Sequence, residues 1–288
     1  MNFHFQFHNR QYFLAITLLA SGFLLPSSNA VSAQVVFSQD FSAGGTPATY
    51  TGSGANLFDG ITTANSANLS WSITSGALQG VRSSATSAGE ISRTTNLATT
   101  SGGIYQFTIN VISSSVAATS ELIFYSGTGF TTANGTEPSG SFHSRFGVNL
   151  NATGGYMFRN IDILTNSATT FTGSNNVFFV VNNTGSTFTY TAPNATPETA
   201  ANDTWDLWVG STKVFNDQAA ATATVAPTDF KLLWQALGTA TIQFDNFTVI
   251  AIPEPSTWLA GALTLGAIVC SQRKRIAAML TARMEARR

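Results

Sequence analysis

Few side chains in this sequence have the types and spacing that covalent chemistry requires. Zinc hydrolysis needs several His, Cys or carboxylate ligands at fitting intervals, but between residues 34 and 252 His143 stands alone, and the single cysteine, Cys270, lies near the C-terminus. A serine triad needs a histidine beside a presented nucleophile, and no Gly-x-Ser-x-Gly elbow occurs. Glycoside hydrolysis needs two carboxylates on one strand face, hence at even spacing. Asp203 and Asp206 are three apart and should face opposite ways, while Glu90, Glu121, Glu137 and Glu198 are scattered. The expectation is a protein that is not an enzyme.

Binding asks for less. Trp71, Trp205, Trp208 and Trp234 could offer flat faces to sugar rings, or fill a core. Trp205 and Trp208, three apart in a strand, should face opposite sides, so at most one is core and the outer one is the better ligand contact. Trp208 is therefore a candidate, with His143 and Arg145 on a second strand. As a strand residue His143 reads equally well as half-exposed and without a role. Asn68, Asn151, Asn194 and Asn246 open Asn-x-Ser/Thr triplets, which chance supplies in a chain rich in Asn and Thr.

The elements that must position these groups are strands. Tyr105, Phe107, Ile109 and Val111 alternate with Gln106, Thr108 and Asn110, and Phe142, Phe146, Val148 and Leu150 with His143, Arg145 and Asn149. Further short runs lie at 35–41, 121–125, 156–163, 177–181, 187–190, 205–215 with a turn at Gly210-Ser211, 230–235 and 241–250. With no sustained helical period, about ten such strands predict an all-β, two-sheet antiparallel sandwich over residues 34–251. This region carries six basic against twelve acidic residues, which excludes nucleic acid as a partner, because phosphate binding needs clustered cations. With no cysteine in it, no disulfide staples the domain.

The two ends read as addresses. Arg10, the apolar run Tyr12 to Leu25, Pro26 and the small residues Val31-Ser32-Ala33 form a secretory leader over 1–33, cleaved before Gln34. Near the other end Pro253-Glu254-Pro255 leaves an extended peptide, residues 256–272 form an apolar stretch, and Arg273-Lys274-Arg275 suits the cytoplasmic face. As a helix the stretch would span about 26 Å at ~1.5 Å per residue, just enough to thread a membrane. A basic tail, 276–288, follows.

The order Pro-Glu-Pro, apolar helix, basic cluster resembles the PEP-CTERM sorting domain over residues 252–275. The resemblance implies an exported bacterial protein, handled by signal peptidase and then by an exosortase. Its destination would be the cell surface, outer membrane or matrix, with exopolysaccharide as a partner; before processing the helix would hold it in the inner membrane. The strands at Val36 to Phe41, Trp205 to Phe215 and Phe244 to Val249 resemble the laminin-G or concanavalin-A jelly roll, in which first and last strands pair. That resemblance implies a structural calcium near Asp40 and Asp245, against the plainer reading of both as turn-capping aspartates. No other cofactor is expected. A secreted carbohydrate-binding or glycan-hydrolysing jelly roll is the alternative to a displayed matrix protein.

Overall fold

The computed structural model describes residues 34–98, 101–115 and 117–252, together with 272, 273 and 286. The leader at 1–33, the Pro253-Glu254-Pro255 box, most of the 256–272 stretch, Lys274, Arg275 and nearly all of the tail lie outside the described residues. No helix among the described residues is long and apolar enough to cross a membrane.

Seventeen strands form among these residues. The first six are β1 (Gln34–Gln39), β2 (Gly60–Thr63), β3 (Leu69–Thr74), β4 (Ala77–Arg82), β5 (Gly89–Arg93) and β6 (Gly102–Ser114). Next come β7 (Ala118–Gly127), β8 (Phe142–Leu150), β9 (Tyr156–Asn160), β10 (Thr165–Asn166), β11 (Gly173–Asn182) and β12 (Phe188–Thr191). The last are β13 (Pro197–Ala200), β14 (Thr204–Val209), β15 (Thr212–Ala219), β16 (Asp229–Trp234) and β17 (Ala240–Ala251).

They build two antiparallel sheets. One runs β15-β14-β11-β6-β17-β4-β3, with β1 also on β17; the other runs β10-β9-β8-β7-β16-β5-β2. The hairpin β12-β13 stands apart. First and last strands of the domain pair, Gln39 opposite Phe247.

The alternation in β6 points Tyr105, Phe107, Ile109 and Val111 between the sheets. Opposite them, Phe124 of β7 stacks on Phe107 at 5.5 Å, Phe146 at 5.5 Å and Phe230 at 5.9 Å, and meets Phe179 edge-on at 5.8 Å. In β17 the inward set Ile242, Phe244, Phe247 and Val249 changes parity midway. A bulge between Asp245 and Thr248, with Asn246 at φ 54°, supplies the extra residue that keeps both halves facing the core.

Two expectations need correction. There are seventeen strands rather than about ten, because β2 to β5 are built from Gly, Ser, Thr and single apolar residues that carry little hydrophobic signal. Gly80 shows why a glycine is needed there: a methyl on it would run into Trp234 and lie 2.7 Å from Cζ3 of Trp71. Secondly, Phe142 does not continue the inward row of Phe146, Val148 and Leu150. The β7-β8 register shifts between Ser126 and Gly127, so Phe142 joins Tyr125, Phe130 and Leu233 in a separate cluster.

Polar groups are buried with that part of the chain. His143, fully buried, shares a 2.8 Å hydrogen bond between Nδ1 and the Ser144 hydroxyl. Burial pulls it down to about 4 from 6.5, so the folded state leaves it neutral where the unfolded chain would be protonated. Its stabilisation is present above pH 6.5 and lost as pH falls toward 4. Asp229 is pushed up to about 6 from 3.8 by burial, against hydrogen bonds from the Phe130 amide and Thr228. Its stabilisation is full below pH 3.8 and lost as pH rises through about 6. The two slopes therefore oppose each other. On acidification from about pH 6.5 to 4.5 the urea midpoint of His143→Gln should rise relative to wild type and that of Asp229→Asn should fall. Midpoints that move in parallel for all three proteins would refute this assignment.

Candidate functional site

The outward face of the eight-stranded sheet is divided in two by its own sequence. Toward one end the outward residues are Ile104, Val180, Trp208 and Ile250, and the hairpin β12-β13 covers them, packing Tyr190, Ala192 and Ala200 onto this row. Phe178 stacks on Tyr190 at 5.9 Å, and Phe188 on Tyr190 at 6.3 Å. Toward the other end the outward residues are Gln106, Thr108, Asn110, Asn176, Gln243 and Thr248, which pay no desolvation penalty for staying wet.

A polar clamp fixes the hairpin. The Tyr190 hydroxyl donates to Oδ2 of Asp206 at 2.5 Å and accepts from the Trp208 indole N–H at 2.9 Å. Nζ of Lys213 reaches Oδ2 of Asp206 and Oε2 of Glu198, each at 3.1 Å, and lies 5.3 Å from the Trp208 ring centre. The Asp217 amide donates to Oδ1 of Asp206 at 2.6 Å. Burial and the neighbouring Asp206 carboxylate raise Tyr190 well above its ordinary value and keep it a donor. Lys213 is held above its ordinary value by the hydrogen bonds and charges of Asp206 and Glu198, which outweigh the opposing effect of burial.

Where the hairpin ends, a groove of about 590 Å³ opens, within the ~300–1,000 Å³ span of small-molecule sites. Its floor is Gln106, Thr108, Asn176, Phe178 and Thr248, its wall Thr191, Ala192 and Pro193, and Gly210 and Asn246 complete the rim. No lining residue is charged. Thr108 donates to Oδ1 of Asn176 at 2.9 Å, leaving the Asn176 N–H groups unused. The side chains of Gln106 and Thr248 make no hydrogen bond among the described residues. Next to Thr108 on the same face of β6, Asn110 donates to Gln243 at 3.1 Å and Gln243 to Gln79 at 3.1 Å, a row of amides running across three strands.

The residues singled out from sequence do not gather at this groove. Trp205 and Trp208 do face opposite sides, but both are buried: Trp205 fills the inter-sheet core, and Trp208, 2% exposed, lies under the hairpin rather than on an open face. His143 is buried, not half-exposed. Arg145 pairs with Asp162 at 2.6 Å and lies over the Phe142 ring at 4.4 Å, on the other sheet. Asp40 and Asp245 both act on Tyr50, whose hydroxyl is raised by burial first and by these carboxylates next. Asp40 accepts from the Ser42 amide at 3.2 Å and hydroxyl at 2.8 Å, and Asp245 from the Asn246 amide at 2.8 Å, as turn caps do. No group of three or more His, Cys, Asp or Glu that could hold a metal occurs among the described residues. Of the basic triplet, Arg273 alone is described, and it is exposed.

The groove was missed because its residues come from positions 106 to 248 and its polar members read singly as solvent-facing residues. The usable signal was the run of outward amides and hydroxyls in β6, Gln106, Thr108 and Asn110.

No family model matches this chain, and no curated protein does. Among solved structures it is similar to a conserved carbohydrate esterase from the Shiga toxin-encoding bacteriophage phi24B, at 11% identity and a TM-score of 0.49, covering 77% of this chain and 100% of that one. It is also similar to the alginate lyase Aly36B in complex with an alginate tetrasaccharide, at 13% identity and 0.43, covering 76% and 97%. A third is the potassium-bound carbohydrate recognition domain of Emp46p, at 8% identity and 0.40, covering 67% and 89%.

Proposed function

We propose that this chain is an exported, non-enzymatic surface or matrix protein whose sandwich binds a neutral glycan in the groove beside the β12-β13 hairpin. The observation that carries the reading is the groove's lining: free amide and hydroxyl groups at Gln106, Asn176 and Thr248, an aromatic edge at Phe178, and no charge. Sugars present hydroxyls and apolar C–H faces, which such a surface matches, whereas an acidic glycan needs cations that the lining lacks. The engagement of the nearby carboxylates supports binding over turnover: Asp245 accepts from the Asn246 amide. Glu198 and Asp206 are both held by Lys213, so neither is offered to a substrate.

Retention on immobilised neutral polysaccharide tests this. Gln106→Ala and Thr248→Val should each weaken retention about fivefold, the worth of one hydrogen bond of ~1 kcal/mol, with unfolding midpoints unchanged. Equal retention on acidic polysaccharide, or variants that bind like wild type, would overturn the groove as the site. Release of reducing ends would replace binding by hydrolysis.

Export and sorting are part of the same proposal and rest on the leader and on the Pro253-Glu254-Pro255, apolar and Arg273-Lys274-Arg275 sequence. Intact mass of the protein recovered from the surface of its own host should lack both the leader and the residues beyond the Pro-Glu-Pro box. Alanines at 253–255 should abolish the second cut. A chain still ending at Arg288 in the inner membrane would leave an ordinary anchored sandwich.

A further inference from the structure

The segment 128–141, between β7 and β8, straps over the outward face of the seven-stranded sheet and buries charge beneath it. Lys231 of β16, fully buried, donates to the carbonyls of Thr131 at 3.2 Å and Ala133 at 2.6 Å and to Oε1 of Glu137 at 2.6 Å. An ammonium has three protons, and all are committed to the strap. Glu90 of β5, also 0% exposed, receives none of them, and its Oε2 has no hydrogen-bond partner.

Oxygens converge on the Thr62 hydroxyl beside this carboxylate without enough protons to join them. Thr62 Oγ1 lies 3.2 Å from Glu90 Oε1, 3.4 Å from the Thr132 carbonyl and 3.1 Å from Asn134 Oδ1, yet a hydroxyl has one hydrogen for three acceptors. The buried Ser92 hydroxyl faces the same place: a methyl on Gly60 would touch Glu90 Oε1 and lie 3.1 Å from Ser92 Oγ. With Glu90 ionised, Glu90, Glu137 and Lys231 carry one net negative charge, which a cation would balance and which burial alone disfavours by raising the carboxyl above its ordinary value. Oxygens 3.1 to 3.4 Å apart match adjacent ligands around a cation held at about 2.3–2.6 Å. The donor set contains no sulfur or imidazole, which excludes soft metals.

We propose that these oxygens form a hard-cation site, with Glu90 as the charged ligand and Thr62, Asn134 and the Thr132 carbonyl as neutral ones. The cation ties the strap to β2 and β5. Thr132 is exposed and Asn134 half-buried, so the ion enters from the strap side while Glu90 stays buried.

The test is thermal unfolding of the full chain in NaCl, KCl or CaCl2 against choline chloride at equal ionic strength. Wild type should gain about 5 °C or more in Tm at saturation with at least one of the cations. Asn134→Ala should need about tenfold more of that salt for half the gain, and Glu90→Gln should show no gain. If Glu90→Gln does not fold, the Asn134→Ala titration decides. A Tm equal in all four salts, or a gain the same in wild type and Asn134→Ala, overturns the site and leaves Glu90 a buried neutral acid.

Discussion

The outward face of the eight-stranded sheet depends on one buried carboxylate. Asp206 stands on β14 among apolar neighbours, and it is tolerated there because Tyr190, Lys213 and the Asp217 amide all donate to it. Those donors come from the hairpin and from β15, so satisfying Asp206 fixes the hairpin over Trp208 and Val180. Removing one partner would leave the others buried and unpaired, which is costlier than never having made the network. The groove is what remains where this cover stops.

Charge is scarce in the domain and is spent on holding elements together. Arg82 pairs with Glu121, and Trp234 donates to the same carboxylate at 2.7 Å. Lys231 and Glu137 fasten the strap on one sheet, as Lys213 and Glu198 fasten the hairpin on the other. The groove left beside the hairpin has amides and hydroxyls as its polar groups. A polar face of this kind makes many weak, directional contacts and offers no cation to an acidic ligand.

Strong alternation was legible in the sequence. Tyr105 to Val111 and the outward set Gln106, Thr108 and Asn110 read correctly, because apolar side chains of one parity have a single place to go in a two-sheet sandwich. The burial of Trp208 was not legible, since it depends on a hairpin whose Thr, Pro and Asn residues carry no sign that they fold back over β14. Nor was the parity change at Phe142, which a one-residue register shift causes. Lys231, between Phe230 and Leu232, did carry a signal: a lone cation in an apolar strand must find buried partners. Glu90 lacked any such mark, because Thr62, Thr132 and Asn134 lie 28 to 44 positions away.

The proposed ligand, a neutral sugar chain, lies against Gln106, Asn176 and Thr248 beside the hairpin. The most direct measurement is an NMR titration of the isotope-labelled domain with a neutral oligosaccharide, following side-chain amide and methyl resonances. Saturable shifts are expected at Gln106, Asn176, Thr248 and Thr191, with Arg145 and the 128–141 strap unmoved. Shifts confined to the opposite sheet, or none at concentrations that saturate retention on the polysaccharide, would contradict this placement.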